Sequence, residues 1–153
     1  MFAKEGYPFI LFAAILLVII VLIPKVLLIV ICVLLLALML WFFRDPERIA
    51  PNDSNAIISA ADGKIVEISD ATIDGKKYKK VSVFMNLFSV HVNRAPYAGI
   101  VEKVNHIEGT FLPADKPEAS AQNERNEIHI STPKGKISAV QVAGLVARRT
   151  VSY

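Results

Sequence analysis

The 153-residue chain contains one cysteine, Cys32, so no disulfide can close within it and no cysteine-built zinc site can form in a single copy. An excess of one charge is missing as well. Of 17 Lys and Arg only Lys4 and Lys25 precede Arg44, and of 14 Asp and Glu only Glu5 does, which leaves 15 basic against 13 acidic residues from Arg44 onward. That near-balance excludes a strongly basic nucleic-acid binder and an acidic disordered tail. G-x-S-x-G, the Walker loop, G-x-G-x-x-G and H-E-x-x-H are all absent, which removes the common hydrolase, NTPase, dinucleotide and metalloprotease templates. The three histidines show no ligand spacing, so no metal site is expected.

What the chain has in excess is apolar residues, 54% against only 20% charged, and the excess is local. Between Phe9 and Phe43 only Pro24 and Lys25 fall outside the apolar set. Residues 9–23 and 26–43 give runs of 15 and 18 apolar residues. As helices these are roughly 22 and 27 Å long against a hydrocarbon core of about 30 Å. One continuous helix would be too long for a single span, and Pro24 interrupts it, so the reading is a membrane helical hairpin over residues 1–43 with its break at Pro24-Lys25. Lys4, Arg44 and Arg48 put its open end, and the domain that follows, on the cytoplasmic face of the cell membrane. Trp41, Phe42 and Phe43 are expected at the interface. A cleaved signal peptide is the competing reading of the first run, but no small-residue cleavage site follows Ile23.

Residues 44–153 read as one β-rich catalytic domain, C-terminally incomplete. Short β-type runs fall at 56–60, 64–69, 80–85, 89–92, 100–106, 127–131 and 136–142, punctuated by the turn pairs Asp62-Gly63, Asp74-Gly75 and Lys134-Gly135. Seven short strands predict a mainly β, antiparallel barrel-sandwich. Residues 115–126, polar and with Pro113 and Pro117 near their start, predict a long loop able to lie over a site.

His91 is the histidine in the most suggestive company. Ser89-Val90-His91-Val92-Asn93-Arg94-Ala95-Pro96 sets an imidazole, an amide and a guanidinium within four residues. An imidazole that titrates near neutral pH suits proton transfer, and it equally suits a hydrogen-bonded structural role. Asp62 in Ala60-Ala61-Asp62-Gly63 is a turn former unless a partner gives it more to do. His106 and His129 read as surface histidines on the polar faces of strands. Arg44-Asp45-Pro46-Glu47-Arg48 reads as a solvated charge cluster or as a lipid-headgroup contact. Asn123-Glu124-Arg125-Asn126 and Arg148-Arg149 are dense enough in donors to hold a carboxylate or phosphate.

Taken in order, five stretches resemble the short form of the phosphatidylserine decarboxylase family, which includes archaetidylserine decarboxylases. They are Phe42-Phe43-Arg44-Asp45-Pro46-Glu47-Arg48; Ser59-Ala60-Ala61-Asp62-Gly63-Lys64-Ile65; Phe84-Met85-Asn86 through Val90-His91-Val92-Asn93-Arg94-Ala95-Pro96; Asn123-Glu124-Arg125-Asn126; and Gly144-Leu145-Val146-Ala147-Arg148-Arg149. The resemblance implies a proenzyme that cuts itself at a Gly-Ser bond, leaving a small C-terminal chain whose new N-terminal serine has become a pyruvoyl group. That carbonyl would form a Schiff base with the amine of a serine phospholipid, CO2 would leave, and a proton would return to give phosphatidylethanolamine or its archaeal equivalent. Asp62 then matches the aspartate of the A-D-G motif implicated in self-cleavage, and His91 the histidine that returns the proton. Where long-form relatives carry a second histidine three positions on, this chain has Arg94, which leaves His91 to serve both steps. Asn93, Arg94, Arg125 and Arg148 become headgroup contacts.

Under that resemblance the pyruvoyl serine lies beyond Tyr153, because Ser152 follows Val151 rather than glycine. The expected partners are the phospholipid membrane, the serine phospholipid substrate, the small pyruvoyl chain of the same proenzyme and a second copy of the chain in a homo-oligomer. Two other readings stand beside it: a non-catalytic membrane-anchored β module that binds lipid headgroups or a protein partner, and a metal-dependent hydrolase. Diacyl and archaeol backbones present the same serine headgroup, so the residues do not choose between them.

Overall fold

The computed structural model describes residues 2–22, 25–73, 75–116 and 118–153. The chain divides into two compact units, one of Met1–Asn52 and Ala61–Arg94, the other of Asp53–Ala60 and Ala95–Tyr153.

In the first unit the two apolar runs form helices α1 (Gly6–Val21) and α2 (Val26–Phe42). The start of α1 meets the end of α2, so the two make a hairpin. Ala3 N–H donates to the Phe43 carbonyl at 2.9 Å, Phe2 bridges Arg44, and Phe9 stacks on Phe43 with centroids 5.5 Å apart. The residues buried along the helices are Gly6, Ala13 and Cys32, small side chains that let two helices approach. Gly6 has no substitute, because a Cβ there would lie 2.4 Å from Phe43 Cγ. Most of the large apolar side chains point outward, Leu22 being 82% and Val26 76% exposed. Among the described residues no helix is long and apolar enough to cross a membrane. Pro24 of the expected Pro24-Lys25 break lies outside the described residues; Lys25 is extended and precedes α2.

The same unit holds an antiparallel hairpin of β1 (Lys64–Ile73) and β2 (Lys76–Phe84), with a register shift between Ile65 and Glu67. On one face Lys80, Ser69 and Ser82 donate to the Glu67 carboxylate and hold its pKa down at about 2. Asp74 of the expected Asp74-Gly75 turn lies outside the described residues. Gly63 sits against the end of β2, where a Cβ would fall 2.2 Å from the Phe84 carbonyl oxygen.

The second unit is a three-stranded antiparallel sheet in the order β3 (Ile100–Ile107), β4 (Arg125–Thr132), β5 (Gly135–Val142). Its best buried point is Asn123, at 0% exposure. The Asn123 amide oxygen accepts from Leu112 N–H at 2.8 Å and Thr110 Oγ1 at 3.1 Å, and its NH2 donates to the carbonyls of Leu112 at 2.9 Å and Ala143 at 2.8 Å. One side chain thereby satisfies backbone groups on two otherwise unladdered segments.

The barrel-sandwich expectation is corrected. Among the described residues the strands form an open pair and an open triplet, with no closed barrel. Two of the seven expected runs, 56–60 and 89–92, are irregular. The second follows a turn closed by side chains: Asn86 Oδ1 accepts Phe88 N–H at 2.9 Å, and Asn86 N–H donates to Ser89 Oγ at 3.1 Å. Local bonds of this kind compete with a strand ladder. The 115–126 stretch is not wholly loop either. It holds a short helix α3 (Ala119–Gln122), its Arg125 and Asn126 already belong to β4, and its Pro117 lies outside the described residues.

Asn123→Ala is expected to destabilise the second unit by about 3 kcal/mol, since it strands buried backbone donors and acceptors. Urea unfolding, followed by amide exchange at Leu112, measures it; an unchanged midpoint would show that these bonds are replaced by water.

Candidate active site

In the first unit the segment leaving α2 and the irregular loop after β2 are tied together. The Phe88 carbonyl accepts twice, from Trp41 Nε1 at 3.2 Å and from Arg44 Nη2 at 2.8 Å, while Arg44 Nη1 donates to the Trp41 carbonyl at 2.7 Å. The guanidinium also lies over the Trp41 ring, 4.2 Å from its centroid. Asp45 pairs with Arg94, and Arg48 pairs with Asp62 at 2.5 Å.

His91 lies within this arrangement, half-buried beside the fully buried Val90. Its Nδ1 is 3.0 Å from the Ser89 carbonyl oxygen, which can only accept, so Nδ1 carries the proton and Nε2 of the neutral ring keeps its lone pair. Phe42 stacks on the imidazole, centroids 4.1 Å apart and planes 29° from parallel. Burial pushes the His91 pKa below its ordinary 6.5; the bond to Ser89 opposes this, and the nearby Arg44 charge adds to it. The ring is thus a neutral base at pH 7.

Of the sequence-predicted site residues, Asp62, His91, Asn93 and Arg94 fall in the first unit and Arg125 and Arg148 in the second. Among the described residues, no hydrogen bond joins His91 to Asp62, whose partner is Arg48. Asn93 Oδ1 is buried and, among the described residues, has no hydrogen-bond partner. The arginines are occupied. Arg94 holds Asp45; Arg125 bonds Glu127 Oε1 at 3.1 Å and the Ala121 carbonyl at 3.0 Å; Arg148 bonds the Leu145 carbonyl at 3.2 Å and lies over Phe111.

Asn123 and Asn126, expected as surface donors for an anion, are buried structural residues instead. Period-two alternation finds one of them, since Asn126 shares a strand face with Ile128 and Ile130. Its Oδ1 accepts from His106 Nδ1 at 3.0 Å, and His106 in turn lies 4.0 Å from Glu124, beside an open depression also lined by Arg148, Arg149 and Thr150. His129 bonds Ser138 Oγ at 2.8 Å across β4 and β5. Among the described residues, no three His, Cys, Asp or Glu side chains converge as metal ligands. The contact of Phe42 with His91 carried no sequence signal, since Phe42 stood out only as the end of an apolar run and as part of the 42–48 stretch.

Comparison with known proteins adds a family to this geometry. The profile described as phosphatidylserine decarboxylase matches residues 35–153. A protein of Desulfotalea psychrophila named phosphatidylserine decarboxylase proenzyme is 47% identical over 156 residues, covering 99% of this chain and 72% of that protein. A Burkholderia mallei protein of the same name is 44% identical over 154 residues, covering 99% of this chain and 71% of its own length.

The His91 imidazole is expected to titrate below 6.5 and to keep its proton on Nδ1 when neutral. Because its folded pKa is lowered, its contribution to stability is complete above the unfolded value and is lost as the pH falls below about 6.5 toward the folded value. Nitrogen-15 NMR of histidine-labelled protein reads both; a midpoint at or above 6.5 would contradict the buried, neutral ring.

Proposed function

The chain belongs to the phosphatidylserine decarboxylase family, and on that premise we propose that it forms most of the large subunit of a self-processed enzyme that decarboxylates a serine phospholipid to its ethanolamine counterpart. The observation that carries the reading is the committed tautomer of His91. With Nδ1 fixed by Ser89 and the ring kept neutral by burial, Nε2 is free to take a proton from the substrate ammonium and to return one to the carbon that has lost CO2.

The cofactor of this reading is a pyruvoyl group, made from a serine of the proenzyme and carried on the small chain. When bound, its carbonyl supplies an electron sink for the electrons left at the α-carbon. Two groups of this chain suit such a neighbour: Nε2 of His91, opposite the nitrogen that bonds Ser89, and the buried Oδ1 of Asn93, which has no hydrogen-bond partner among the described residues. Asn93 Oδ1 is an acceptor of the right kind for the headgroup ammonium, whereas Arg94, Arg125 and Arg148 would each have to leave an existing partner to meet a headgroup. Asp62, ion-paired with Arg48, is the carboxylate assigned to self-cleavage, which it would enter by exchanging Arg48 for His91 or the serine hydroxyl.

The membrane reading rests on the outward-facing apolar side chains of α1 and α2, with Lys4, Arg44 and Arg48 near their open end. A two-chain lipid is scarcely soluble as a monomer, so a site anchored on the cytoplasmic face meets it by lateral diffusion. The same anchoring leaves room for a homo-oligomer.

An intact-mass spectrum of the undisrupted gene product, with and without cyanoborohydride and a serine phospholipid, tests the function. A small chain with a blocked N-terminus that traps the substrate amine is expected; one unprocessed mass with no adduct would leave the headgroup-binding module as the better account. His91→Asn is expected to lower the decarboxylation rate by on the order of 100-fold or more in the processed enzyme. His91→Asn retaining the wild-type rate would remove His91 from the mechanism.

A further inference from the structure

We propose that Phe42, the last residue of α2, is a positioning residue for His91: its ring backs the imidazole and fixes the direction in which Nε2 is presented. The inference rests on His91 being the proton-transfer group. It is carried by geometry at three points. The Phe42 and His91 rings overlap at 4.1 Å, a closer approach than either Phe9 or Phe42 makes with Phe43, at 5.5 and 5.1 Å. The Ser89 carbonyl holds Nδ1 on one edge of the imidazole at 3.0 Å. A ring held by one edge alone can still swing about that bond. A second, face-on support removes that freedom, and the stack supplies it.

Neither support is free to drift. The loop carrying His91 is tied to the end of α2 by Trp41 and Arg44, both on the Phe88 carbonyl, and the chain beyond is tied again by Arg94 and Asp45. Phe42 and His91 therefore sit between two fixed ties. Arg44 is the charge that bears on the imidazole, while Asp45 is neutralised by Arg94 and Asp62 by Arg48. A cation beside a neutral ring disfavours its protonation, and the Phe42 ring excludes water from one face, so both act in the same direction.

Phe42→Leu in the processed full-length enzyme, held in detergent micelles with a serine phospholipid, tests the assignment. The expected result is a kcat lowered roughly tenfold with KM little changed. The His91 nitrogen-15 titration midpoint should rise as water reaches the ring. Phe42→Tyr, which keeps the ring, should restore both. Should Phe42→Leu fail to fold, Phe42→Met, closer in length, is read in the same way. A Phe42→Leu enzyme whose rate holds, or whose rate falls while the His91 midpoint and the low-pH limb of kcat stay put, overturns the proposal with the His91 mechanism intact. His91→Asn at the wild-type rate overturns both, and is told apart because in the first case His91→Asn remains inactive.

Discussion

The Phe88 carbonyl is the acceptor on which the first unit turns. It lies in a loop with no ladder partner among the described residues, so its hydrogen bonds come from side chains elsewhere in the chain. Two donors come from one place, the indole of Trp41 and the guanidinium of Arg44, at the end of α2. Because both reach the same oxygen, the irregular loop is pinned to a rigid helix. The ring of Phe42 on His91 and the Asp45–Arg94 pair follow from that pinning. An imidazole aimed by a helix end is held more firmly than one aimed by a loop alone.

Asn123 solves the same problem in the second unit by a different route. There one buried amide, with two donors and an acceptor that takes two bonds, serves Leu112 and Ala143 on separate segments. The three-stranded sheet supplies regular hydrogen bonds, and Asn123 supplies them where the chain runs outside the sheet. Two arginines of this unit also reach backbone carbonyls, Arg125 that of Ala121 and Arg148 that of Leu145.

The apolar runs and the alternating stretches were legible because period and length are local properties. Both helices and five of the seven strand runs lie where the pattern puts them. The two that do not, 56–60 and 89–92, are decided by contacts the pattern does not contain. In the first, Ile58 N–H finds the Pro96 carbonyl instead of a neighbouring strand; in the second, Asn86 and Ser89 close a turn with their side chains. His91 and Asp62 stood out by motif, but their partners did not. Arg48 on Asp62 and Phe42 on His91 join positions far apart in sequence, and no spacing rule reaches that distance. The burial of Asn123 is hidden from the sequence for a related reason, since it comes from segments on either side that local polarity does not reveal.

The ties at the end of α2 also impose an order on biosynthesis. Asp45 and Arg94 are 49 residues apart, and Phe42 waits for His91 over the same interval. At about 5–20 residues per second that gap lasts roughly 2–10 s, during which the residues of both helices have already been made. Until the ribosome has passed residue 91 there is no imidazole for Phe42 to cover, and the aromatic end of the hairpin is an unfilled berth. The nascent chain therefore brings His91 to a support whose residues are made first.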